Sequence, residues 1–494
     1  MTDQTREPTP PPDQHPRRAR YQTVGLFLGP ALALLLLAAP APAGLAPAGW
    51  TVVAIAALLA TWWATEAIPV PATSLIPLVA FPMAGVVPAR DAAAPYAHPV
   101  IFLLMGGFIM AMGLQRWGLH KRIALTIVRA FGRHPSRLIL GFMTATAVLS
   151  MWISNTASTL MMVPIALGVS EAVLGKTRLN HPFTLCLTLG IAWAASIGGL
   201  GTPIGTPPNA FVVGFVEANS GYRISFVQWM SFGVPIVAAM VPVAWLVLTV
   251  VTNPFDTRTV QGGGDAVDAE LRAMGPIRRP ERRVAAVFFV IANLWLWLPL
   301  LETVPGLSGL SNMVVAIAGA LAMFLIPAGD QDGSQHRLLD WDSAAAIPWG
   351  VLLLFGGGLS LANAIQETGL SVFIGEGLST FAGLPLIVLV ALVVTLILFL
   401  TELTSNTATV AALVPVLAAM TASGDIPPIV LAAPAAMAGS CAFMLPVATA
   451  PNAVVYSSGL VSIPQMARAG VRLNLIGIVV ITGLCTLIVP RVFG

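Results

Sequence analysis

Residues 150–164 read SMWISNTASTLMMVP and residues 401–415 read TELTSNTATVAALVP; both carry Ser-Asn-Thr-Ala with a Val-Pro behind it, at Ser154-Asn155-Thr156-Ala157 and Ser405-Asn406-Thr407-Ala408. Each string sits near the middle of an apolar stretch, about 137–173 and about 385–420. Polar residues halfway through such a stretch predict a hairpin that enters and leaves a membrane on one side, because bare backbone at membrane depth is tolerated only where protein covers it. That reading decides the fold, since it makes the rest of the chain a set of spans arranged around two hairpins.

The bulk composition agrees. Of 494 residues, 57% are hydrophobic and 9% charged, against roughly 25% charged in an average soluble domain. A soluble globule is excluded. The net charge of +3 and pI near 9.0 do not point to nucleic acid, because the basic residues fall in loops between apolar runs. Cys186, Cys441 and Cys485 lie far apart inside apolar runs and read as small buried thiols rather than a disulfide framework.

Apolar windows predict eleven helices near 21–41, 49–69, 72–88, 99–118, 183–216, 225–252, 283–301, 310–327, 346–368, 427–458 and 470–490. The fold class is thus an all-α polytopic membrane protein of eleven transmembrane helices plus two re-entrant hairpins. Residues 1–20 hold five prolines and four arginines with no apolar run, and read as a disordered cytoplasmic tail. The chain then divides into an extra first helix (21–48), a first repeat (49–255, hairpin 137–173), a cytoplasmic linker (256–282) and a second repeat (283–494, hairpin 385–420).

Lys and Arg accumulate in cytoplasmic loops, which tests the count. With both hairpins re-entrant and the N-terminus inside, only Arg90, Arg223 and Arg491 of the 24 basic residues are external, and the C-terminus is external too. A first hairpin that crossed fully would put the cluster Arg258, Arg272, Arg278, Arg279, Arg282 and Arg283 outside. The two halves also align: Gly106-Gly107 falls on Gly356-Gly357, Gly118 on Gly369, and Thr206-Pro207-Pro208-Asn209-Ala210 on Thr449-Ala450-Pro451-Asn452-Ala453. Five helices and a hairpin make an odd number of crossings, so the second copy is inverted. Inverted repeats meet near the midplane, where secondary transporters place their sites.

The prolines of Thr206-Pro207-Pro208-Asn209, with Gly198, Gly199, Gly201 and Gly205 upstream, predict a broken helix whose loose carbonyls and amides want a ligand. Carbonyl ends of half-helices plus the amide oxygen of Asn155 or Asn406 make a hard oxygen cage suited to Na+, while half-helix N-termini and hydroxyls suit a carboxylate. No Lys or Arg lies at either motif, so bound cations would balance a dianion. A single Ser-Asn-Thr could merely satisfy backbone groups; two copies beside two matching breaks favour a site. Glu402, where the first repeat has Met151, reads either as a coupling or gating carboxylate or as a structural hydrogen-bonding group. Glu66 reads as interfacial. None of the six histidines is predicted deep in a span, which argues against an intramembrane metalloenzyme.

The two Ser-Asn-Thr hairpins, the run from Ser196 to Asn209 and the run from Thr401 to Thr407 resemble the divalent anion/sodium symporter family of INDY-type dicarboxylate and citrate carriers. The resemblance covers about residues 49–490. It implies a homodimer in the inner or plasma membrane, each protomer with a dimerising scaffold and a transport domain that moves as an elevator. It implies one Na+ site at Ser150, Ser154, Asn155 and Gly205, and another at Thr401, Thr404, Asn406 and Ala448. The substrate would meet Ser154, Asn155, Thr156, Thr206, Ser405, Asn406, Thr407 and Thr449. The expected activity is sodium-coupled transport of C4-dicarboxylates such as succinate, malate or fumarate, with no enzymatic step. A sodium-independent exchanger, or a citrate or sulfate carrier on the same fold, is the alternative. Ala450 departs from the second-half Thr-Pro-Pro-Asn that members often carry.

Overall fold

Proline marks where many of the helices begin, because its fixed φ suits the first turn and its missing amide would be unpaired there anyway. In the computed structural model, which describes residues 19–175, 181–256, 262–329, 336–377, 384–422 and 426–493, His98-Pro99, His134-Pro135 and His181-Pro182 each open a helix. The Nδ1 atoms of His98 and His181 accept hydrogen bonds from Val100 N at 3.3 Å and Phe183 N at 3.1 Å. These histidines are caps at helix ends.

Among the described residues every element is helical apart from an isolated bridge between Pro327 and Arg337. The first half runs α1 (Arg20–Ala38), α2 (Pro47–Thr65), α3 (Val70–Thr73), α4 (Ile76–Met83), α5 (Ala89–Ala93), α6 (Pro99–Arg116), α7 (Leu119–Ala130), α8 (Pro135–Ser150), α9 (Asn155–Leu174), α10 (Pro182–Gly199), α11 (Pro207–Ser220) and α12 (Phe226–Leu246), with a wider π turn to Thr252. After α13 (Gly263–Ala273) follow α14 (Arg279–Leu301), α15 (Asn312–Leu325), α16 (Trp341–Ala345), α17 (Trp349–Glu367), α18 (Leu370–Gly377), α19 (Leu386–Thr401), α20 (Asn406–Ala422), α21 (Ile429–Gly439), α22 (Ala450–Ser457) and α23 (Ile463–Val492).

Among the described residues nine helices are long and apolar enough to cross a membrane. Eight coincide with expected spans, and the ninth is α9, an arm of the first Ser-Asn-Thr segment. The remaining three expected spans, near 72–88, 310–327 and 427–458, contain shorter apolar helices, Val70–Met83, Asn312–Leu325 and Ile429–Gly439. The first of these breaks between α3 and α4, where Ser74 is buried, accepts at Oγ from Trp63 Nε1 at 3.1 Å and accepts at its carbonyl from the Tyr96 hydroxyl. Residues 1–18 of the expected tail, together with Lys176, Arg178 and Arg258, lie outside the described residues.

Two helices carry the centre of the molecule. Beyond its opening proline, every residue of α10 is buried, and so is every residue of α21. A helix apolar all round belongs inside a large protein, surrounded by others. Gly198 allows α8 to lie against α10: a methyl there would stand 2.3 Å from Ala147 O. The halves interlock, with α9 packing on α22 and α20 on α11. Aromatic stacking adds a second seam, as Phe226 of α12 lies 4.3 Å from Trp295 of α14 with their planes 3° apart, and Trp152 stacks 6.0 Å from Phe226. All three cysteines are buried and free.

The basic residues after α6 meet acidic ones near α13. Lys121 pairs with Glu270 at 3.0 Å, and Arg129 and Arg133 with Asp268 at 3.3 Å; Arg116, at the end of α6, pairs instead with Asp340 just before α16. The Ser343 amide and then Arg116 hold the Asp340 carboxyl down at about 2. Glu281, 1% exposed at its side chain, accepts from Arg122 Nε at 2.6 Å and Arg278 Nε at 3.0 Å. Removing one partner of a buried ion pair costs roughly 3–5 kcal/mol, whereas an exposed pair contributes about 0–1 kcal/mol. Glu281→Ala is therefore expected to lower the thermal midpoint of detergent-solubilised protein by many degrees, while Lys121→Ala leaves it nearly unchanged.

Candidate functional site

Both Ser-Asn-Thr strings open a helix. α8 ends at Ser150, a turn runs through Met151–Ser154, and α9 begins at Asn155; α19 ends at Thr401, and α20 begins at Asn406. Ser154 caps α9, its Oγ accepting from Ala157 N at 3.2 Å. Both Thr-x-Pro-Asn strings also open a helix, with Thr206 at the N-cap position of α11 and Thr449 at that of α22. The Thr449 hydroxyl accepts from Asn452 N at 3.2 Å, whereas Thr206 leaves its helix uncapped and places Oγ1 3.3 Å from Ser440 Oγ. That contact joins the break of the first half (200–206) to the break of the second (440–449).

Four helix N-termini therefore belong to one connected region, each carrying a partial positive charge from its unpaired amides. Ser154, Asn155, Thr156, Ser405 and Asn406 are half-buried there, while Thr206, Thr407 and Thr449 are buried.

Around the first break the oxygens crowd together. A methyl at Gly199 would stand 2.8 Å from Asn155 Oδ1 and 3.1 Å from Gly205 O; one at Gly205 would stand 2.5 Å from Gly199 O and 3.0 Å from Ser150 O. Three carbonyls and one amide oxygen thus surround a space that only glycine leaves open. Asn155 Oδ1 and Ser150 Oγ are buried with no hydrogen-bond partner. A buried acceptor without a donor costs about 1–3 kcal/mol, and a small hard cation would offset that cost. Of the residues expected together, Ser150, Asn155 and Gly205 share this cradle, and Ser154 takes the capping role beside it.

In the second copy, Asn406 Oδ1 is likewise buried and without a partner. Thr401 Oγ1 donates to Leu398 O at 3.0 Å, and Thr404 Oγ1 lies 2.8 Å from Leu400 O and 2.6 Å from Thr409 Oγ1, so both hydroxyls are engaged within their own hairpin. Ala448 is buried in the second break.

Glu402 joins that hairpin to that break. Its carboxylate, 3% exposed, accepts from Phe443 N at 2.7 Å, from Met444 N at 3.0 Å, from Leu445 N at 3.2 Å and from Asn474 Nδ2 at 2.7 Å. Of the two readings the sequence left open, the hydrogen-bonding one describes these contacts. The first half uses a different device: Met151 packs over Gly201, and its carbonyl accepts from Thr202 Oγ1 at 2.5 Å. Ser440 and Asn474 had no assigned part in the sequence reading; Gly199 and Asn209 were read only as marks of the helix break, and Asn452 only as the partner of Asn209 in the repeat alignment.

A cavity of about 530 Å³ lined by Pro99, Glu217, Arg223, Glu302 and Asn312 lies away from both motifs. Among the described residues no three His, Cys, Asp or Glu side chains gather as metal ligands, and the oxygens around the first break are those of carbonyls, an amide and hydroxyls.

Residues 21–490 match the family model described as the sodium:sulfate symporter transmembrane region. The chain is 41% identical over 480 residues to the sodium-dependent dicarboxylate transporter SdcS of Staphylococcus saprophyticus, covering 96% of this chain and 92% of that one. It is 41% identical over 481 residues to SdcS of Staphylococcus aureus, with the same coverage. Among solved structures, the fold is similar to the YdaH transporter of Alcanivorax borkumensis (TM-score 0.57, 15% identity, 96% of this chain and 97% of that one). It is similar also to MtrF of Neisseria gonorrhoeae (TM-score 0.59, 13% identity, 96% and 95%).

Glu402→Ala would strand three backbone amides and the Asn474 amide group in a buried place, each at roughly 1–3 kcal/mol. The expected result is loss of monodisperse protein on size-exclusion chromatography after detergent extraction, with Glu402→Gln, which keeps one acceptor oxygen, partly retained.

Proposed function

The chain belongs to the divalent anion/sodium symporter family, and we propose that it is a sodium-coupled carrier of C4-dicarboxylates such as succinate, malate and fumarate. The observation that carries this reading is the pair of partnerless amide oxygens, Asn155 Oδ1 and Asn406 Oδ1, one in each repeat at the start of a half-helix. An oxygen cage without a fixed charge holds Na+ by number and placement of dipoles.

In this reading Ser150, Ser154, Asn155 and Gly205 hold one sodium ion, and Thr401, Thr404, Asn406 and Ala448 hold the other. The two ions supply the positive charge that no side chain provides. The substrate carboxylates lie against Ser154, Asn155, Thr156, Thr206, Ser405, Asn406, Thr407 and Thr449, each facing helix N-termini. Two anionic groups suit two copies of the motif.

The proposed topology is eleven transmembrane helices with re-entrant hairpins at 137–173 and 385–420, the N-terminus inside and the C-terminus outside. Ion pairs that join the basic residues after α6 to α13 and the start of α14 support placing those clusters on one side. The two repeats, 49–255 and 283–494, flank the linker 256–282, and the first helix stands apart from them. The hairpins and the broken helices α10–α11 and α21–α22 travel as one body against a scaffold in an elevator cycle, within a homodimer.

Labelled succinate entering proteoliposomes under an imposed Na+ gradient tests the function. Uptake that needs internal dicarboxylate and ignores Na+ would make the protein an exchanger and sink the symport reading; stronger competition by citrate or sulfate than by malate would sink the C4 assignment. Asn155→Ala and Asn406→Ala are expected to reduce uptake at least 100-fold with membrane insertion intact. Gly205→Ala, which drives a methyl to 2.5 Å from Gly199 O, is expected to remove Na+ activation as well.

A further inference from the structure

Asn209 and Asn452 occupy the third position of α11 and α22, and both are completely buried. Each reaches back into the break before its own helix. Asn209 Nδ2 donates to Gly199 O at 2.9 Å and Thr202 O at 2.8 Å, with Leu200 O at 3.3 Å; Asn452 Nδ2 donates to Ala442 O at 3.1 Å and Leu445 O at 3.0 Å. The spacing that places Asn209 on Asn452 (452 − 209 = 243) places Gly199 on Ala442 and Thr202 on Leu445. Two side chains far apart in sequence thus tie the same pair of carbonyls in both repeats. The carbonyl acceptors also fix which way each amide points, because turning it over would set oxygen against oxygen.

Gly199 O is one of the oxygens in the cradle beside Asn155 and Gly205. A carbonyl has two lone pairs, so it can accept from Asn209 and still face a cation. Without the tie, a carbonyl released from the helical ladder would be free to swing. We propose that Asn209 and Asn452 are positioning residues for the transported cations: they hold the break carbonyls at the spacing that Na+ requires and so set cation affinity and selectivity. This rests on the sodium-coupled reading above and adds to it a pair of residues that act through the carbonyls their amide groups hold.

The test compares Asn209→Ala, Asn452→Ala and the control Thr188→Ala in proteoliposomes. Thr188 is buried in α10 and bonds only within its own helix, at Thr184 O and Leu185 O, so it reports general destabilisation. Outer-shell partners of metal ligands typically change affinity by roughly 10–100-fold. Each Asn variant is therefore expected to raise the Na+ concentration for half-maximal succinate uptake by about that factor and to alter the ratio of Li+-driven to Na+-driven uptake. Succinate half-saturation at saturating Na+ should stay within about twofold, and Thr188→Ala should change neither cation readout. If alanine yields no inserted protein, Asn→Leu, close in volume and without donors, is measured in its place, with the Na+ dependence of thermal unfolding as the second readout. Unchanged Na+ half-saturation and Li+ ratio, with only abundance or maximal rate reduced, would overturn the proposal. Wild-type uptake that ignores Na+ would overturn the underlying reading along with it, which separates the two failures.

Discussion

A peptide group that leaves its helix inside a membrane must find a partner, and this fold is organised around that one requirement. Two helices are interrupted, at residues 200–206 and 440–449. Around each interruption the chain assembles the donors and acceptors that the helical ladder no longer supplies. In the second repeat Glu402 takes three amides; in both repeats an asparagine takes two carbonyls or more. Among the groups left without a partner are the amide oxygens of Asn155 and Asn406 and those of Asn209 and Asn452, at matching places in the two repeats.

The surroundings serve the same requirement. α10 and α21 are buried along their lengths, α10 packed by α8, α9 and α12 and α21 by α19, α20 and α23. Glycines permit these neighbours to come close: a methyl at Gly233 of α12 would stand 2.4 Å from Leu200 O, and one at Gly470 of α23 would stand 2.3 Å from Phe443 O. The repeats differ mainly in how the hairpin meets the break. A thioether and a threonine hydroxyl do in one half what a carboxylate does in the other. The Glu402 carboxyl group lies beside only one of the two motif copies, which makes the two chemically unequal despite their shared backbone plan.

Much of this was legible in the sequence. Mid-span polar residues located both hairpin turns, and Pro207 and Pro451 located the starts of α11 and α22, because proline and the Ser or Thr cap before a helix act over a few residues. The histidines before Pro99 and Pro182 were read only as not lying deep in a span; their place as caps of α6 and α10 needs atomic contacts to see. The third span was less legible: Pro69, Pro71, Pro77 and Pro82 crowd the segment, yet whether such a segment bends or breaks depends on Ser74 finding Trp63 and Tyr96. Asn209 and Asn452 were visible as a repeated letter, but their partners are main-chain oxygens 7 to 10 residues back, a relation that no side-chain pattern records. Glu402 was similarly ambiguous, since its donors lie more than 40 residues away in the chain.

The cradle beside Gly199 and Gly205 is built largely of main-chain carbonyls, and the genetic code cannot edit a carbonyl. Point mutation can remove the Asn155 amide oxygen outright, but it reaches the carbonyls only by adding bulk at the glycines or by moving the side chains that brace the backbone. Inherited change in such a cradle would therefore run through the side chains and braces at its rim, leaving the main-chain oxygens the same from one variant to the next.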